Sequence, residues 1–334
     1  MKLSKLLLLI RSGEQAMNGK GFQALVAQLG ELSVVQREAL ITALKRRLSL
    51  DEAIELIDSR FKAEPCCGHC GSKSVGGWSS QNGLVRYRCK DCAKTFNALT
   101  GTPLAQLHRR DAWFDYAKAL ADGLSLRKAA ERCGISLDTS FRWRHRFLAA
   151  AKDVKAKTVK GIVEAYETFI RTSAKGSKRL VGRAPRKRGT KPKPGLSSDD
   201  YTPVLIVRDR HGATLDQVLP DLEGATFKHV LAPVVAHDAL LVSDGRAAYG
   251  QFADEAGLLH IALNASRGER TYGSYHIQNV NAYISRLKEW LRRFKGVATR
   301  YLPSYLGWRR LIEREGENLS ASRYLIQALP HATT

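Results

Sequence analysis

Two Cys-x2-Cys pairs, Cys67 with Cys70 and Cys89 with Cys92, stand eighteen residues apart and constrain the fold of this chain more than any other feature. A two-residue gap lets both thiolates of one turn reach the same ion, and the intervening stretch is long enough for a hairpin to return with the second pair. The spacing predicts one tetrahedral, structural Zn2+ site in a zinc ribbon. Gly68, Gly71 and Gly76-Gly77 supply turns, and Val85-Arg86-Tyr87-Arg88 alternates as a strand entering the second knuckle. Cys66 offers a competing register and His69 a surrogate ligand, but x2 knuckles on both sides give the symmetrical geometry and favour Cys67. Two disulfides are the alternative. The sequence shows no secretory signal, and a cytosol keeps thiols reduced, which disfavours them. Cys133, within an amphipathic helical pattern, reads as a small buried apolar residue.

The composition is that of a globular chain, 44% hydrophobic and 26% charged over 334 residues, with room for two or three domains. Its formal charge of +22, from 54 basic against 32 acidic residues, makes a polyanion the leading partner, and nucleic acid first among polyanions. The apolar run Leu6 to Ile10 is too short to span a bilayer and reads as a short helix of an N-terminal bundle. No membrane partner is expected, and the expected location is cytoplasmic.

The order of patterns predicts an α+β multidomain chain. Residues 1–62 read as helical, with Ser33 capping a run that carries Val34, Val35, Leu40, Ile41 and Leu44, and a further helix over Leu50 to Phe61. The ribbon follows over 63–104. Helical periods at Asp111–Ala121, Leu126–Cys133 and Leu137–Ala151, with a tight turn at Gly134-Ile135-Ser136, suggest a helix-turn-helix over 110–155. Its third helix offers Ser140, Arg142, Arg144 and Arg146 to a major groove. From 160 to 315 strands and helices alternate. Three hairpin-linked strands are followed by helical crossovers, an α/β domain with a mixed five-stranded sheet. Within it, 171–195 is a basic loop. Arg171 to Lys193 holds ten Lys or Arg and no acid, and Arg186, Lys187 and Arg188 are its densest run, placed to lie along phosphates. Residues 316–334 read as a tail.

Asp244 follows the apolar strand Leu240-Leu241-Val242-Ser243 and precedes Gly245, a carboxylate at a strand end where the backbone turns. A long helix from His276 to Phe294 carries His276, Asn279, Asn281, Arg286 and Lys288, with Asn281 and Lys288 two turns apart on one face. Here the chain resembles bacterial insertion-sequence transposases of the 1595 family, from about Leu32 to Leu311. The resemblance rests on the ribbon ending Tyr87-Arg88-Cys89-Lys90-Asp91-Cys92, on Val163-Glu164-Ala165-Tyr166-Glu167-Thr168-Phe169 and on Leu241-Val242-Ser243-Asp244-Gly245. It rests also on His276-Ile277-Gln278-Asn279-Val280-Asn281, and on Gly296-Val297-Ala298-Thr299 followed by Tyr305-Leu306-Gly307-Trp308-Arg309-Arg310.

The resemblance implies a ribonuclease-H-like catalytic domain of the DDE type in its Asp-Asp-Asn-Lys variant. Asp244 and Asn281 would then be ligands of Mg2+ or Mn2+, and Lys288 would meet a phosphate. It implies an enzyme that binds double-stranded DNA at terminal inverted repeats, cleaves strands and transfers them into target DNA, working as a homo-oligomer on DNA. At the position of the first catalytic Asp this chain has Tyr166. A neutral phenol cannot supply the charge that bridges two Mg2+ ions, so impaired cleavage is expected. Glu164, on the same strand face but ~7 Å along it, is a poor substitute. A DNA-binding regulator without catalysis is the alternative. An RNA-processing nuclease fits the helix-turn-helix less well, because A-form RNA hides its major groove.

Overall fold

The computed structural model describes residues 18–177, 180, 200–264 and 267–329. The expected helix at Leu6–Ile10 and the Arg186-Lys187-Arg188 run therefore lie outside the described residues. The backbone divides at Glu52/Ala53 into two units, each described by itself. Among the described residues no helix is long and apolar enough to cross a membrane.

The first unit holds α1 (Gly19–Gln28) and the opening turns of α2 (Val34–Ala63). Ser33 caps α2 reciprocally. Its Oγ accepts from Gln36 N at 3.3 Å, and Gln36 Oε1 accepts from Ser33 N at 2.8 Å, a capping box. The two helices expected over this stretch are one, because nothing between Leu44 and Leu50 is a helix breaker. Val34, Val35, Ile41 and Leu44 of that run are 48–74% exposed.

In the second unit the ribbon is a three-stranded antiparallel sheet of β1 (Val75–Gln81), β2 (Leu84–Cys89) and β3 (Thr95–Asn97). One face buries Tyr87 and Phe96 against Phe61 from the end of α2, with ring centroids 4.3 Å and 5.9 Å from Phe61. The three-helix unit follows as α3 (Trp113–Ala121), α4 (Leu126–Cys133) and α5 (Leu137–Phe147). Ser125 and Ser136 cap α4 and α5, and between them Gly134 takes the left-handed conformation that ends α4, at φ 58°. Trp113, Tyr116, Trp143 and Phe147 form its core in edge-on and tilted ring pairs. Cys133 is buried there, as its pattern predicts, and burial pushes its thiol up to about 12.

The third region is a mixed sheet in the order β6-β5-β4-β7-β8. Its strands are β4 (Ile162–Arg171), β5 (Tyr201–Asp209), β6 (Thr214–Val218), β7 (Leu240–Ser243) and β8 (Leu259–Ala262). The first three pair antiparallel and β4, β7 and β8 pair parallel, as hairpin links followed by helical crossovers require. Helices α6 (Gly224–Leu231) and α7 (Ala247–Ala256) cover one face, packing Phe227, Leu231 and Phe252 on Val163, Leu205, Val207 and Leu241. The other face, with Val204, Ile206 and Val242, is covered by α8 (Gln278–Arg292) and α9 (Leu302–Glu315). A short hairpin, β9 (Thr271–Tyr272) and β10 (Tyr275–His276), precedes α8 where one continuous helix from His276 is expected. Nor is the C-terminal stretch only a tail. α10 (Ala321–Gln327) buries Tyr324 and Leu325 and packs on α3.

Two contacts join these parts. Gly307 on α9 passes so close to the turn at Ala151–Asp153 that a Cβ there would meet Ala151 O at 2.2 Å. Three residues on, the buried Arg310 donates to Val154 O at 3.1 Å and Lys152 O at 3.0 Å and pairs with Asp216, which also accepts from Tyr283 Oη at 2.6 Å. Desolvation brings the Arg310 guanidinium down to about 10, and the fixed Asp216 charge and carbonyls keep it paired.

Candidate functional site

The four ribbon cysteines converge. Antiparallel pairing of Val75 with Cys89 returns the second knuckle to the first, where Gly71 N donates to Cys67 O at 2.9 Å. The four Sγ atoms lie within 4.8 Å of one another, and Cys67–Cys92 and Cys70–Cys89 are each 3.7 Å apart. A tetrahedron with metal–sulfur bonds of ~2.3 Å has edges of about 3.8 Å, so the set fits a metal such as zinc. None of the six cysteines forms a disulfide. Backbone N–H groups of Cys92 and Asp91 bring the Cys89 thiol down to about 7, while against a backbone hydrogen bond from Ser72 the neighbouring thiols push Cys70 up to about 12. Cys66 stands outside the cluster, and His69 Nε2 lies 3.4 Å from Thr95 O.

The second place of interest is the end of β7. Pairing of β4 with β7 runs to Glu164↔Val242, and two residues further along each strand stand Tyr166 and Asp244. Asp244 is half-buried and accepts from Arg246 N at 3.2 Å across the turn at Gly245, whose φ of 83° suits a residue without Cβ. Burial, then the charges of Asp244 and Glu167, push the Tyr166 phenol up against the opposing pull of Arg246. A neutral phenol thus stands beside the Asp244 carboxylate.

The neighbours of Tyr166 on β4 point to opposite faces. Glu164, wholly buried, turns toward α8 and accepts from Asn279 Nδ2 at 2.7 Å and Val280 N at 3.0 Å, while Arg210 Nε pairs with it at 3.2 Å and His276 Nδ1 stands at 3.5 Å. It fastens the first turn of α8, a helix N-terminus that favours negative charge. Glu167 faces the other way, pairing with Arg246 and accepting from Tyr249 Oη at 2.7 Å; burial, then Glu167, raise the Tyr249 phenol well above its usual range.

Asn281 follows Val280 on α8 and is half-buried; Lys288 is exposed, two turns on. Lys288 has no ion-pair partner among the described residues, and partial burial of its chain lowers its pKa. Arg286, by contrast, is committed to Glu313. Among the described residues the cysteine cluster is the one group of three or more Cys, His, Asp or Glu whose ligand atoms gather, and no such group of three includes Asp244.

The third helix of the trihelical unit differs from expectation. Ser140 and Arg144 are fully buried, because positions 140, 143–144 and 147 form the inward stripe of α5. Ser140 Oγ donates to Leu126 O at 2.9 Å. Arg144 donates to Leu124 O at 2.6 Å and lies over the rings of Trp308 and Phe294, 5.0 and 5.7 Å from their centroids. Arg146 is tied to Pro103 O and to Ala105 O, the latter at 2.6 Å. Of the four residues assigned to a groove, Arg142 and Arg146 are exposed, and Arg142 pairs with Asp138 on the surface at 2.7 Å.

Sequence reasoning passed over the ion networks of Glu164, Glu167 and Asp216. The available signal was acidic residues at inward strand positions in otherwise apolar runs, which demand buried partners.

Comparison with known proteins matches residues 158–309 to the ISXO2-like transposase domain and residues 114–152 to the Homeodomain-like domain. A protein of Halobacterium salinarum described as an uncharacterized protein in transposable element ISH50 is 27% identical over 256 residues, covering 75% of this chain and 86% of that one. Among solved structures, the crystal structure of a pre-cleavage Mos1 transpososome covers 64% of this chain and 78% of its own at 11% identity. Its TM-score of 0.23 carries no argument.

Proposed function

This chain belongs to the IS1595 transposase family and carries a DNA-binding helix-turn-helix, and from that premise we propose that it binds the terminal inverted repeats of its element with strand cleavage impaired at Tyr166. The single observation that carries the impairment is the neutral phenol of Tyr166 beside Asp244. A pair of Mg2+ or Mn2+ ions needs bridging carboxylates, and a lone Asp244 with Asn281 on the neighbouring helix does not fit that demand. Glu164 offers no replacement, since its oxygens already bind Asn279, Val280 N–H and Arg210.

The strand order with antiparallel β4–β6 and parallel β4, β7 and β8 supports a ribonuclease-H-like reading of residues 160–315. Lys288, exposed and without an ion-pair partner, suits a phosphate as a point charge. Zn2+ at Cys67, Cys70, Cys89 and Cys92 would hold the ribbon of residues 63–104 folded, and the sulfur spacing supports it. The helix-turn-helix of 110–155 is then the duplex reader, with Arg142 available to it. A homo-oligomer on DNA completes the reading.

The test is Mg2+- or Mn2+-dependent nicking of a terminal-repeat duplex by this chain and by Tyr166→Asp. Both are expected to retard the duplex, and the substituted protein to nick it more than about 100-fold faster. Equal nicking by the unmodified chain refutes the impairment. The same phenol favours a second reading, a DNA-binding regulator. Control of a promoter that lacks terminal repeats would support it.

A further inference from the structure

The ribbon sheet has two unlike faces. Tyr87 and Phe96 cover Phe61 on one side, and the opposite face of β2 carries the exposed Arg88 and the half-buried Arg86, which donates to Thr95 Oγ1 at 2.7 Å. On that face Trp78 is 56% exposed. The chain has five tryptophans, and the other four, Trp113, Trp143, Trp290 and Trp308, are at most 3% exposed. An indole left in water contributes nothing to the core, and here its position is set by a specific device. The β1–β2 register shifts between Gly77 and Ser79, making Trp78 the bulged residue, and a bulge re-aims a side chain. Arg88, paired across the sheet with Gly76, lays its guanidinium over the Trp78 ring at 4.9 Å. Around this pair the charge is one-sided. From Pro65 to Asn97 the cations Lys73, Arg86, Arg88, Lys90 and Lys94 face the single acid Asp91.

We propose that this outer face of the ribbon sheet is a second double-stranded DNA contact, with Trp78 and Arg88 at its centre. The inference rests on the terminal-repeat reading above and adds to it a surface that the helix-turn-helix does not supply. The cations meet phosphates, where each contact releases counterions, and the Trp78–Arg88 pair presents a flat, partly desolvated cation to a sugar–phosphate edge or groove wall. The cysteine cluster keeps this face rigid from behind, since Cys67 and Cys89 are buried with Phe61 and Phe96.

The placement of the tryptophans makes the test selective. In the full zinc-loaded chain, acrylamide quenching of tryptophan emission reports Trp78, while the four buried indoles report the fold. Saturating terminal-repeat duplex should shield the quenchable component, and Trp78→Phe should abolish both that component and its change. Arg88→Ala should weaken duplex binding about five- to tenfold at physiological salt and lower the slope of log affinity against log salt by about one. Retardation of the duplex with unchanged quenching, and with Arg88→Ala binding like the parent, overturns this surface and leaves the helix-turn-helix reading intact. Shielding by an RNA duplex but not by DNA also overturns it. No retardation of any duplex overturns the terminal-repeat reading itself.

Discussion

The cysteine cluster and the end of β7 are both sites of metal-ligand residue types, yet one closes on itself and the other does not. Four sulfurs within a span of 26 residues reach mutual distances that fit a tetrahedral ion, because two turns and one hairpin decide everything about them. At the strand end the positions are drawn from 166, 244, 281 and 288, and the register of a parallel strand pair and the seating of α8 must both be right. On the proposed function, the frame there is kept while a ligand is lost. Glu164 anchors α8 and Gly245 turns the chain, and Tyr166 holds the position where that proposal calls for charge. Packing and chemistry are therefore held by different residues at the strand end, and by the same residues in the ribbon.

The largest expected effect sharpens this contrast from the ribbon side. Cys67→Ala should remove one zinc per chain and unfold the ribbon, since apparent zinc-binding free energies of roughly 10–16 kcal/mol are folding free energy in such modules. Metal content and near-ultraviolet circular dichroism measure it; a folded ribbon without zinc would break the comparison. Next comes Glu164→Ala, which leaves Arg210 and the α8 amides without their buried partner and should destabilise by about 3–5 kcal/mol in urea unfolding. A small loss there, with altered Mn2+ binding instead, would make Glu164 a metal ligand and erase the separation of packing from chemistry.

These differences also mark what is legible in a sequence. The cysteine spacing, the Ser33 cap and the strand-end Asp-Gly turn act over a few residues, and their geometry follows from local bonding. The sheet is legible as well, because links without a helix between the first three strands and helix-length crossovers after them leave few topologies. What escaped was long-range. The burial of Arg144 depends on Trp308 and Phe294, more than 140 residues away, and that of Ser140 on which stripe of α5 meets α3. A basic residue on a recognition helix reads as groove-facing until its partner is known. The hairpin at 271–276 and helix α10 were missed because each is short and stabilised by contacts rather than by period.

One such long-range contact carries a pH signature. His145 on α5 stacks on Tyr301 at 3.7 Å, and desolvation, then the charges of Arg144 and Arg300, lower its pKa to about 4. In the unfolded chain it titrates near ~6.5. The folded state thus refuses a proton that the unfolded state accepts, so this contribution is full above the unfolded value and is lost as pH falls through the folded one. After allowance for solvent screening at its open edge, the loss between pH 7 and pH 4 should be up to roughly 2 kcal/mol. His145→Phe keeps a ring against Tyr301 and should flatten that part of the acid limb in pH-dependent urea unfolding. An unchanged limb would place the proton uptake elsewhere.

The smallest expected effect is the sharpest test of the separation. Lys288 has no ion-pair partner among the described residues, and partial burial already works against its charge. Removing it leaves no carboxylate unpaired and relieves some desolvation, so Lys288→Ala should change stability by no more than about 0.5 kcal/mol in either direction. In the Tyr166→Asp background the same substitution should lower nicking while the urea midpoint stays put, because a point charge on a phosphate acts only when DNA is bound. A loss of stability above about 1.5 kcal/mol would make Lys288 part of the packing of α8. The strand end would then resemble the ribbon after all, with one set of residues serving both fold and site.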